Sequence, residues 1–524
     1  MIFSICLALA CCLTTLVLFL YWHLKRHFSL FERLNIPGPK PSLLVGNLWE
    51  IMEKGQFQAA VDWGHQYGRV FGYYEGYTPV LSVSDPVILR EVLVKDAANF
   101  MTRKPFPMAP RKALGLFLEN GHQWRRSRSL LTPAFSSGKL KQMMPIMQNS
   151  ADILVDTLGR LSNKEKSVDV YSAFQGLTLD VIGRCAFGLQ TEAQTDEKDE
   201  FLTSIRSLFQ TMSTTIILPL VMAVPFLAHF VFALKNVVFL FGMNPVVWLR
   251  LKLKEIIQIR KSMGPNSKVV DLVQLMLFPS KTRLNKHNRQ AEEDEQNEAV
   301  DTEQLAQMTE REIVAQSMTF LLAGYETTSA VLAFLSHALA QTPDVQARLQ
   351  KEIDARVGKE INYESVQNLT YFDMVFDEVC RLFPTASQIV TRQATESRVI
   401  NGVTIPAGMN IHANIWALHH DPEFWTQPEV FDPERFSAAN RDKIQPYTFL
   451  PFGSGPRKCI GMRFAILEAK VALVKLLRQF NLSLDHEQQE PIKLIGRGAI
   501  VPQNEVKVKV TKRTLRRLTN NRHG

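Results

Sequence analysis

A loop rich in glycine and proline near the end of the chain places one cysteine directly before a helix. The sequence PFGSGPRKCIGMRF, Pro451 to Phe464, holds three glycines and two prolines around Cys459. Such a stretch cannot form the interior of a helix and fits poorly in a central strand. Backbone N–H groups at the start of the following helix, with Arg457 and Lys458, favour negative charge. We therefore expect Cys459 to be a thiolate that binds a partner.

The composition narrows the classes of protein that this chain can represent. It has 524 residues, of which 46% are hydrophobic, and a net charge of +9. The positive charge suits a membrane surface or an acidic protein, but no basic block interleaved with aromatic residues indicates a nucleic-acid partner. Three of the six cysteines lie in the apolar N-terminal segment, so no disulfide framework is expected. An isolated cysteine can still ligate a cofactor that brings its other ligands, as haem does.

The first 24 residues carry no charged side chain. Within them lies an apolar run of about 21 residues, roughly 30 Å long as a helix, which is enough to cross a bilayer. Lys25, Arg26 and Arg33 follow it, so the sequence predicts a single membrane anchor with its positive flank in the cytoplasm. A cleaved signal peptide is the alternative, and it is less favoured because its basic residues should precede the apolar run.

The rest of the chain divides by composition. The predicted segments are a membrane anchor at 1–24, a basic and proline-rich linker at 25–47, a catalytic domain at 48–510 and a basic C-terminal tail at 511–524. A second uncharged stretch, Ile216 to Leu234, contains prolines and a histidine. It predicts a buried or membrane-dipping pair of short helices rather than a second span. The acidic segment Glu292 to Glu303 predicts an exposed connection.

A long helix is predicted to begin at Thr309, where TERE forms a capping box. The absence of proline thereafter allows about 32 residues, or about 48 Å of helix through the core. In its middle, AGYETTS places Ala323, Gly324 and Thr327 on one face. A notch of small residues beside a hydroxyl can hold a small ligand or a water molecule. The alternative is a buried threonine satisfied by the backbone and a glycine that serves packing.

Three shorter patterns carry little information when taken singly. EVCR places Glu378 and Arg381 three residues apart on a helix, and FDPERF adds Arg435 if the fold brings it near. WRRSR places Trp124 and Arg128 on one helical face. Alone, each could be an ordinary surface feature.

Together, in this order, the patterns resemble those of the cytochrome P450 family of haem-thiolate enzymes. The cysteine loop resembles the family pattern F-x-x-G-x-R-x-C-x-G, filled by Phe452, Gly455, Arg457, Cys459 and Gly461. The threonine motif resembles A-G-x-E-T-T, and the resemblance covers roughly residues 35–510. It implies a mostly α fold with small β-sheets, joined here to a single N-terminal transmembrane helix.

The resemblance also implies a cofactor, haem b (iron protoporphyrin IX). Cys459 would be the axial ligand of the iron, and Ala323 and Gly324 would lie beside the porphyrin. The residues that match family positions for the haem propionates are Arg103, Trp124, Arg128, Arg392 and Arg457. Glu378, Arg381 and Arg435 would form a structural network behind the cysteine loop.

By the same resemblance, Thr327 lies beside the oxygen site, and Glu326 and Thr327 supply protons there. The implied activity is insertion of one oxygen atom of O2 into a lipophilic steroid, fatty acid or xenobiotic. The motifs look most like those of the microsomal group, which implies the endoplasmic reticulum membrane. Electrons would come from NADPH through a membrane-bound cytochrome reductase, with cytochrome b5 as a second candidate partner. The cations that could form the docking face are Arg125, Arg126, Lys139, Lys141, Lys458 and Arg463.

Two other functions remain open on the same residues. The chain could isomerise or dehydrate lipid peroxides on the same fold, or it could be a membrane-anchored haem or ligand-binding protein without turnover. The intact Thr327 favours monooxygenation, because some peroxide-rearranging members of the family lack this threonine. The lining residues expected after Pro384, which are Thr385, Ala386 and Ser387, do not name a substrate.

Overall fold

The computed structural model describes most of the chain. The residues that it does not describe are 105–114, 164–166, 215–244, 266–270, 279–306, 487, 489, 497 and 515–524. The predicted membrane-dipping stretch and the predicted acidic connection therefore lie outside the described residues, as does most of the predicted C-terminal tail.

The described residues are mainly helical, as predicted. The α-helices, numbered α1 to α18 in chain order, are Ile2–Phe28, Leu30–Arg33, Leu48–Lys54, Gln56–Tyr67, Pro86–Arg90, Gly121–Leu131, Ser137–Ser162, Val170–Phe187, Glu200–Thr214, Pro245–Met263, Leu272–Leu277, Glu310–Gln341, Pro343–Arg356, Tyr363–Gln367, Thr370–Leu382, Ile415–His419, Ala438–Arg441 and Met462–Gln479. A π-helical turn at Glu91–Lys95 and 3₁₀ turns at Thr132–Phe135 and Pro433–Phe436 complete the helical elements of this part of the chain.

The strands form four small sheets in the described part of the chain. In chain order, β1 to β11 are Val70–Glu75, Thr78–Val83, Val168–Asp169, Thr391–Gln393, Arg398–Ile400, Val403–Ile405, Asn410–Ala413, Phe480–Leu484, Leu494–Gly496, Ile500–Pro502 and Lys507–Lys512. The largest sheet has the order β1-β2-β7-β4, with β2 and β7 parallel. A second sheet has the order β3-β11-β8, and β5-β6 and β9-β10 pair by themselves. Strands β1 and β2 form an antiparallel hairpin, in which Val70 lies opposite Val83.

Helix α12 passes through the main core and confirms the predicted long helix. It has 32 residues, and its N-terminus carries the predicted capping box between Thr309 and Glu312. Its most apolar window would suit a membrane span, but 61% of that window is buried inside the protein. Phe135 joins α12 to α18, because its ring lies 5.6 Å from Phe320 and 6.4 Å from Phe464. The cysteine loop, which ends at α18, is thereby held close to α12.

Helix α1 is the other candidate membrane span, and none of its most apolar window is buried. Its last turn packs on the tip of the β1–β2 hairpin. The His27 ring stacks on Tyr77 at 3.7 Å and 6°, and the Tyr74 hydroxyl donates to the His27 carbonyl oxygen at 3.1 Å. Phe28 and Phe31 are buried in the core beside the largest sheet. The helix therefore continues past residue 24 and docks on the domain, while the predicted segment boundaries stay predictions.

Phe31 provides a test of this docking. It is 5% exposed, and a Cβ atom on Gly72 of β1 would lie 2.2 Å from its ring. We expect Phe31→Ala to lower the free energy of unfolding by about 3 kcal/mol, because a buried ring leaves a cavity. The measurement is chemical unfolding of the full chain in detergent, followed by circular dichroism.

Trp49→Ala is the matched control, since Trp49 is 67% exposed and its loss should change the free energy by only about 0.5 kcal/mol. Equal effects of the two substitutions would show that residues 28–36 do not belong to the domain core.

Candidate functional site

The cysteine loop is closed by its own backbone and fixed by two neighbours. The Cys459 N–H donates to the Phe452 carbonyl at 3.0 Å. The Phe452 ring lies parallel to that of Phe376 on α15, with centroids 6.4 Å apart. Gly455 has φ +71°, and a Cβ atom there would lie 1.7 Å from the Leu93 carbonyl oxygen. Only glycine fits this position, so the loop backbone reaches the π-helical turn more closely than any side chain would allow.

Cys459 lies before the first turn of α18. The N–H groups of Gly461 and Met462 donate to its sulfur, and the positive charges of Arg128 and Arg103 lie nearby; all of these lower the pKa of the thiol. The Cys459 side chain is itself accessible, but it is surrounded by dense protein. Desolvation by this protein raises the pKa of the thiol and is larger than the effects that lower it. The local N–H groups and arginines act in the direction that the sequence predicts and desolvation opposes them, so the thiolate at Cys459 stays a prediction. A bound metal would deprotonate the thiol outright.

From the sequence we also expected the positive charge of Arg457 to favour a thiolate at Cys459. Its guanidinium instead donates to the Glu119 carbonyl at 2.6 Å and to Asn120 Oδ1 at 2.9 Å, and it lies 4.5 Å from the centre of the Trp124 ring. Arg457 therefore joins the loop to the N-terminus of α6.

The other two cysteines of the globular part have different surroundings. Burial raises the pKa of both Cys185 and Cys380 well above the usual range. The Asp377 carboxylate raises the pKa of Cys380 further, whereas two arginines and two N–H groups oppose the rise at Cys459. Cys459 therefore has the environment that best suits a metal-bound thiolate.

Four arginines come together beside the cysteine loop. Burial lowers the pKa of Arg392 to about 10 and that of Arg457 to about 9, and it lowers the pKa of Arg128. The pKa of Arg103 falls well below its usual range through burial and through repulsion from Arg392 and Arg457. In the described part of the chain, none of the four forms an ion pair with a carboxylate. Arg103 Nε and Arg457 Nε and Nη1 are buried without hydrogen-bond partners.

This donor set fits a haem. Buried guanidinium groups need anionic partners, and the two propionates of haem would provide two negative charges. Cys459 lies within electrostatic reach of Arg103 and Arg128, so the thiol and the arginines share one site. Cys459 would hold the iron, while Trp124 and the four arginines would hold the propionates.

Helix α12 presents Thr327 and Glu326 to different surroundings. The Thr327 hydroxyl donates to the Ala323 carbonyl at 2.7 Å, and Thr327 lines a cavity of about 40 Å³ with Phe452 of the loop. Glu326 is 3% exposed and accepts a hydrogen bond from the Tyr171 hydroxyl at 2.7 Å. The motif therefore reaches the loop through Thr327 and helix α8 through Glu326.

Gly324 faces α8 rather than the loop. A Cβ atom on it would lie 3.1 Å from Ile182, so its absence allows the two helices to approach closely. This geometry supports the packing alternative for Gly324. A place for Gly324 and Ala323 beside the porphyrin stays a prediction.

Comparison with known proteins identifies a family whose members bind haem, in agreement with the haem-binding residues described above. Residues 36–510 match the model of the cytochrome P450 family. Cytochrome P450 3A5 of Homo sapiens is 37% identical over 500 residues, which cover 94% of each chain. The chain belongs to the cytochrome P450 family. Cytochrome P450 3A56 of Fundulus heteroclitus is 34% identical over 96% of each chain, and cytochrome P450 3A11 of Mus musculus is 35% identical over 94% of each chain.

Membership of the family confirms several predictions made from the motifs. The protein has the cytochrome P450 fold and is an oxidoreductase that acts as a monooxygenase. Its cofactor is haem b. The roles of individual residues are not decided by the family match and stay predictions.

The structure brings Glu378, Arg381 and Arg435 together, as the motifs of this cytochrome P450 predict. Arg381 donates to both carboxylate oxygens of Glu378 at 2.8 Å, and both side chains are fully buried. Arg435 Nε lies 3.3 Å from Glu378 Oε1. Arg381 also donates to the His419 carbonyl at 2.9 Å, and His419 Nε2 accepts from the Leu450 N–H at 2.9 Å. The network therefore ends at the residue that precedes the cysteine loop.

Sequence reasoning missed His419 and Tyr171. Burial lowers the pKa of His419 well below its usual range, which keeps the ring neutral and able to accept from Leu450. Neither residue belongs to a motif or to a helical pattern that marks it. Tyr171 meets Glu326 from 155 positions away, so only the tertiary fold reveals the pair.

The buried pair behind the loop gives a stability prediction. Glu378→Gln should lower the free energy of unfolding by about 3 kcal/mol, because Arg381 would keep a buried charge without a carboxylate. The bound haem should be lost at lower denaturant concentration, as followed by its absorbance. Arg348→Gln is the control: Arg348 pairs with Glu434 on the surface, where side-chain exposures are 56% and 45%, and the loss should be within about 1 kcal/mol.

Two loop glycines form a second matched pair. Gly453 and Gly455 both have positive φ, at +69° and +71°, but only Gly455 lacks room for a side chain. Gly453→Ala should cost about 1 kcal/mol from the backbone alone. Gly455→Ala should abolish stoichiometric haem binding, because the Leu93 carbonyl would have to move. Haem content per polypeptide measures both, and equal haem content in the two variants would contradict the close approach at Leu93.

Proposed function

We propose that this cytochrome P450 inserts one oxygen atom of O2 into a lipophilic substrate, such as a steroid, fatty acid or xenobiotic, with electrons from an NADPH–cytochrome reductase. The observation that carries the proposal is the convergence of Cys459, four buried or half-buried arginines without a carboxylate partner in the described residues, and the Thr327 face of α12. When bound, haem with a thiolate ligand supplies oxygen activation. The chain supplies orientation, charge balance and protons.

Thr327 and Glu326 are proposed to move those protons. The Thr327 hydroxyl donates to the Ala323 carbonyl, and rotation about its χ1 would turn the same proton toward the cysteine-loop side. The cavity beside Thr327 has room for about one water molecule, which could carry the proton further. Glu326 is the neighbouring acid that restores the proton to this path.

Exposed cations beside the loop support docking of an acidic reductase. Lys458, Arg463 and Arg125 are exposed, and the first lies next to Cys459. Lys141 is also exposed, but it forms a surface ion pair with Glu364 and is a weaker candidate. Arg126 is different, because its guanidinium binds Glu312 at 2.8 Å and its side chain is 10% exposed. We therefore leave Arg126 out of the docking face. Cytochrome b5 would use the same positive surface.

Helix α1 supports a location in the endoplasmic reticulum membrane. It would cross the bilayer once, with the catalytic domain on the cytoplasmic side, because Lys25, Arg26 and Arg33 follow the apolar run. A membrane location also suits a lipophilic substrate. Of the predicted lining residues, Thr385 lies on the same small cavity as Thr327, while the Ser387 hydroxyl accepts from the Trp416 N–H at 2.9 Å. Thr385 is therefore the better candidate for contact with substrate.

The thiolate is tested by the absorbance of the reduced protein with carbon monoxide. Wild type should show a strongly red-shifted Soret band, and Cys459→Ser should lose it because a hydroxyl is a poor ligand. Cys380→Ser is the control and should keep the band, since that thiol lies on α15. A band that survives in Cys459→Ser, or one that is absent from wild type, would refute thiolate ligation at this residue.

Thr327→Ala tests the reaction type. With reductase and NADPH, product per NADPH consumed should fall on the order of tenfold, while NADPH consumption continues. Thr328→Ala is the neighbouring control for loss of a hydroxyl on α12. Turnover of a lipid hydroperoxide without NADPH, unaffected by Thr327→Ala, would instead support the peroxide isomerase.

A further inference from the structure

Glu326 is held from the side of α12 that faces away from the cysteine loop. Its Oε1 atom accepts the Tyr171 hydroxyl at 2.7 Å, and both side chains are buried, at 3% and 8% exposure. Tyr171 is the second residue of α8, a helix that packs along α12. The contact therefore joins the acid of the AGYETTS motif to a residue outside every motif.

A large polar cavity lies on this side of α12. Its volume is about 730 Å³, and Tyr171, Tyr325 and Glu326 are among its lining residues. The charged side chains that line it from the surrounding elements are Asp169, Arg206, Lys493, Glu505 and Lys507. Lys493 and Glu505 are exposed, so the cavity reaches the surface and admits water. Tyr171 and Glu326 both border this cavity, whereas Thr327 is not among its lining residues.

The position of the Tyr171 hydroxyl is fixed by the start of α8. The Asp169 carboxylate accepts from the N–H groups of Tyr171 and Ser172 at 3.1 and 3.3 Å. It also accepts from the Val506 N–H at 3.0 Å, which ties the helix start to the C-terminal sheet. Arg206 donates to Ser172 Oγ at 2.6 Å and to Gln175 Oε1 at 3.1 Å, so the nearest cation is bound to α8. The Asp169 and Arg206 contacts fix the first turns of α8, and this keeps the Tyr171 hydroxyl directed at Glu326.

We propose that Tyr171 is a positioning residue that holds the Glu326 carboxyl and relays protons to it from the water-accessible cavity. The inference rests on the proposed function, in which Glu326 supplies protons to the Thr327 face. It adds the source of those protons and the group that passes them on.

The relay is a double proton transfer with no change of oxidation state. The Tyr171 O–H bond breaks as its proton bonds to Glu326 Oε1. A hydronium ion in the cavity gives a proton to the phenolic oxygen and becomes water, which restores the phenol. Burial and the adjacent Glu326 raise the pKa of Tyr171 well above its usual range, so the phenol stays protonated between transfers.

The direct test is the infrared carboxyl band of Glu326 in the full-length, haem-loaded protein without substrate. The band is assigned by its absence in Glu326→Gln. In Tyr171→Phe, this band should shift in frequency, because the carboxyl group loses the hydrogen bond that the Tyr171 hydroxyl donates at 2.7 Å. Tyr325→Phe is the matched control. Its side chain lines the same cavity and its hydroxyl makes no hydrogen bond to Glu326, so its removal should move the band much less than removal of the Tyr171 hydroxyl.

The second readout is product formed per NADPH consumed, measured with reductase. Tyr171→Phe should lower this ratio several-fold, and the double variant Tyr171→Phe/Glu326→Gln should be no worse than Glu326→Gln alone, because the two residues act in series. Haem content and the carbon monoxide spectrum should match those of wild type, which excludes misfolding.

An unchanged infrared band with an unchanged ratio in Tyr171→Phe would overturn the proposal, and so would additive losses in the double variant. Wild-type coupling in Glu326→Gln would overturn the relay while leaving monooxygenation intact. Failure of the proposed function is a separate result, seen as absence of NADPH-dependent product in wild type, and the infrared shift would still measure the contact.

Discussion

Four buried or half-buried arginines, none paired with a carboxylate among the described residues, set a constraint on the catalytic domain. Arg128 comes from α6, Arg392 from β4, Arg457 from the cysteine loop, and Arg103 from the segment that bridges to Gln393. Like charges in a medium of low polarity repel one another strongly. Backbone carbonyls and Asn120 accept hydrogen bonds from three of these arginines but carry no full negative charge. If the haem propionates bind here, as we propose, they would offset the repulsion, couple haem binding to folding and join a helix, a sheet and a loop that are distant in sequence.

Helix α12 separates two environments, a small and mostly apolar cavity beside Thr327 and a large polar cavity beside Glu326, and the AGYETTS motif reaches both. Thr327 lies toward the loop that carries Cys459, and Glu326 lies toward α8 and the larger cavity. Adjacent residues on a helix point about 100° apart, so one short motif can reach both sides of the same element. The close approach of α8 at Gly324 keeps Tyr171 within hydrogen-bond distance of Glu326.

Much of this arrangement could be predicted from local chemistry. The capping box at Thr309, the proline-free run after it and the glycines around Cys459 each specify backbone geometry within a few residues. The sequence could not show which side of α12 Gly324 faces, because that depends on where Ile182 packs. Nor could it show how strongly desolvation opposes the thiolate at Cys459, since that depends on the density of the folded protein. His419 was missed for a similar reason. It connects Arg381 to Leu450 through two hydrogen bonds between residues that are far apart in the sequence.

The stacking of His27 on Tyr77 has a consequence for movement at a membrane. A chain joined to its anchor by a flexible linker samples many heights and tilts above the bilayer. Here α1 continues into the domain, and its last turn packs against the β1–β2 hairpin through His27, Tyr74 and Tyr77. The domain and a bilayer-spanning α1 would therefore rotate as one rigid body. Two-dimensional diffusion would then carry the positive face past a membrane-bound partner at a nearly constant height. An encounter would become a search over one rotation angle, which raises the effective concentration of productive orientations.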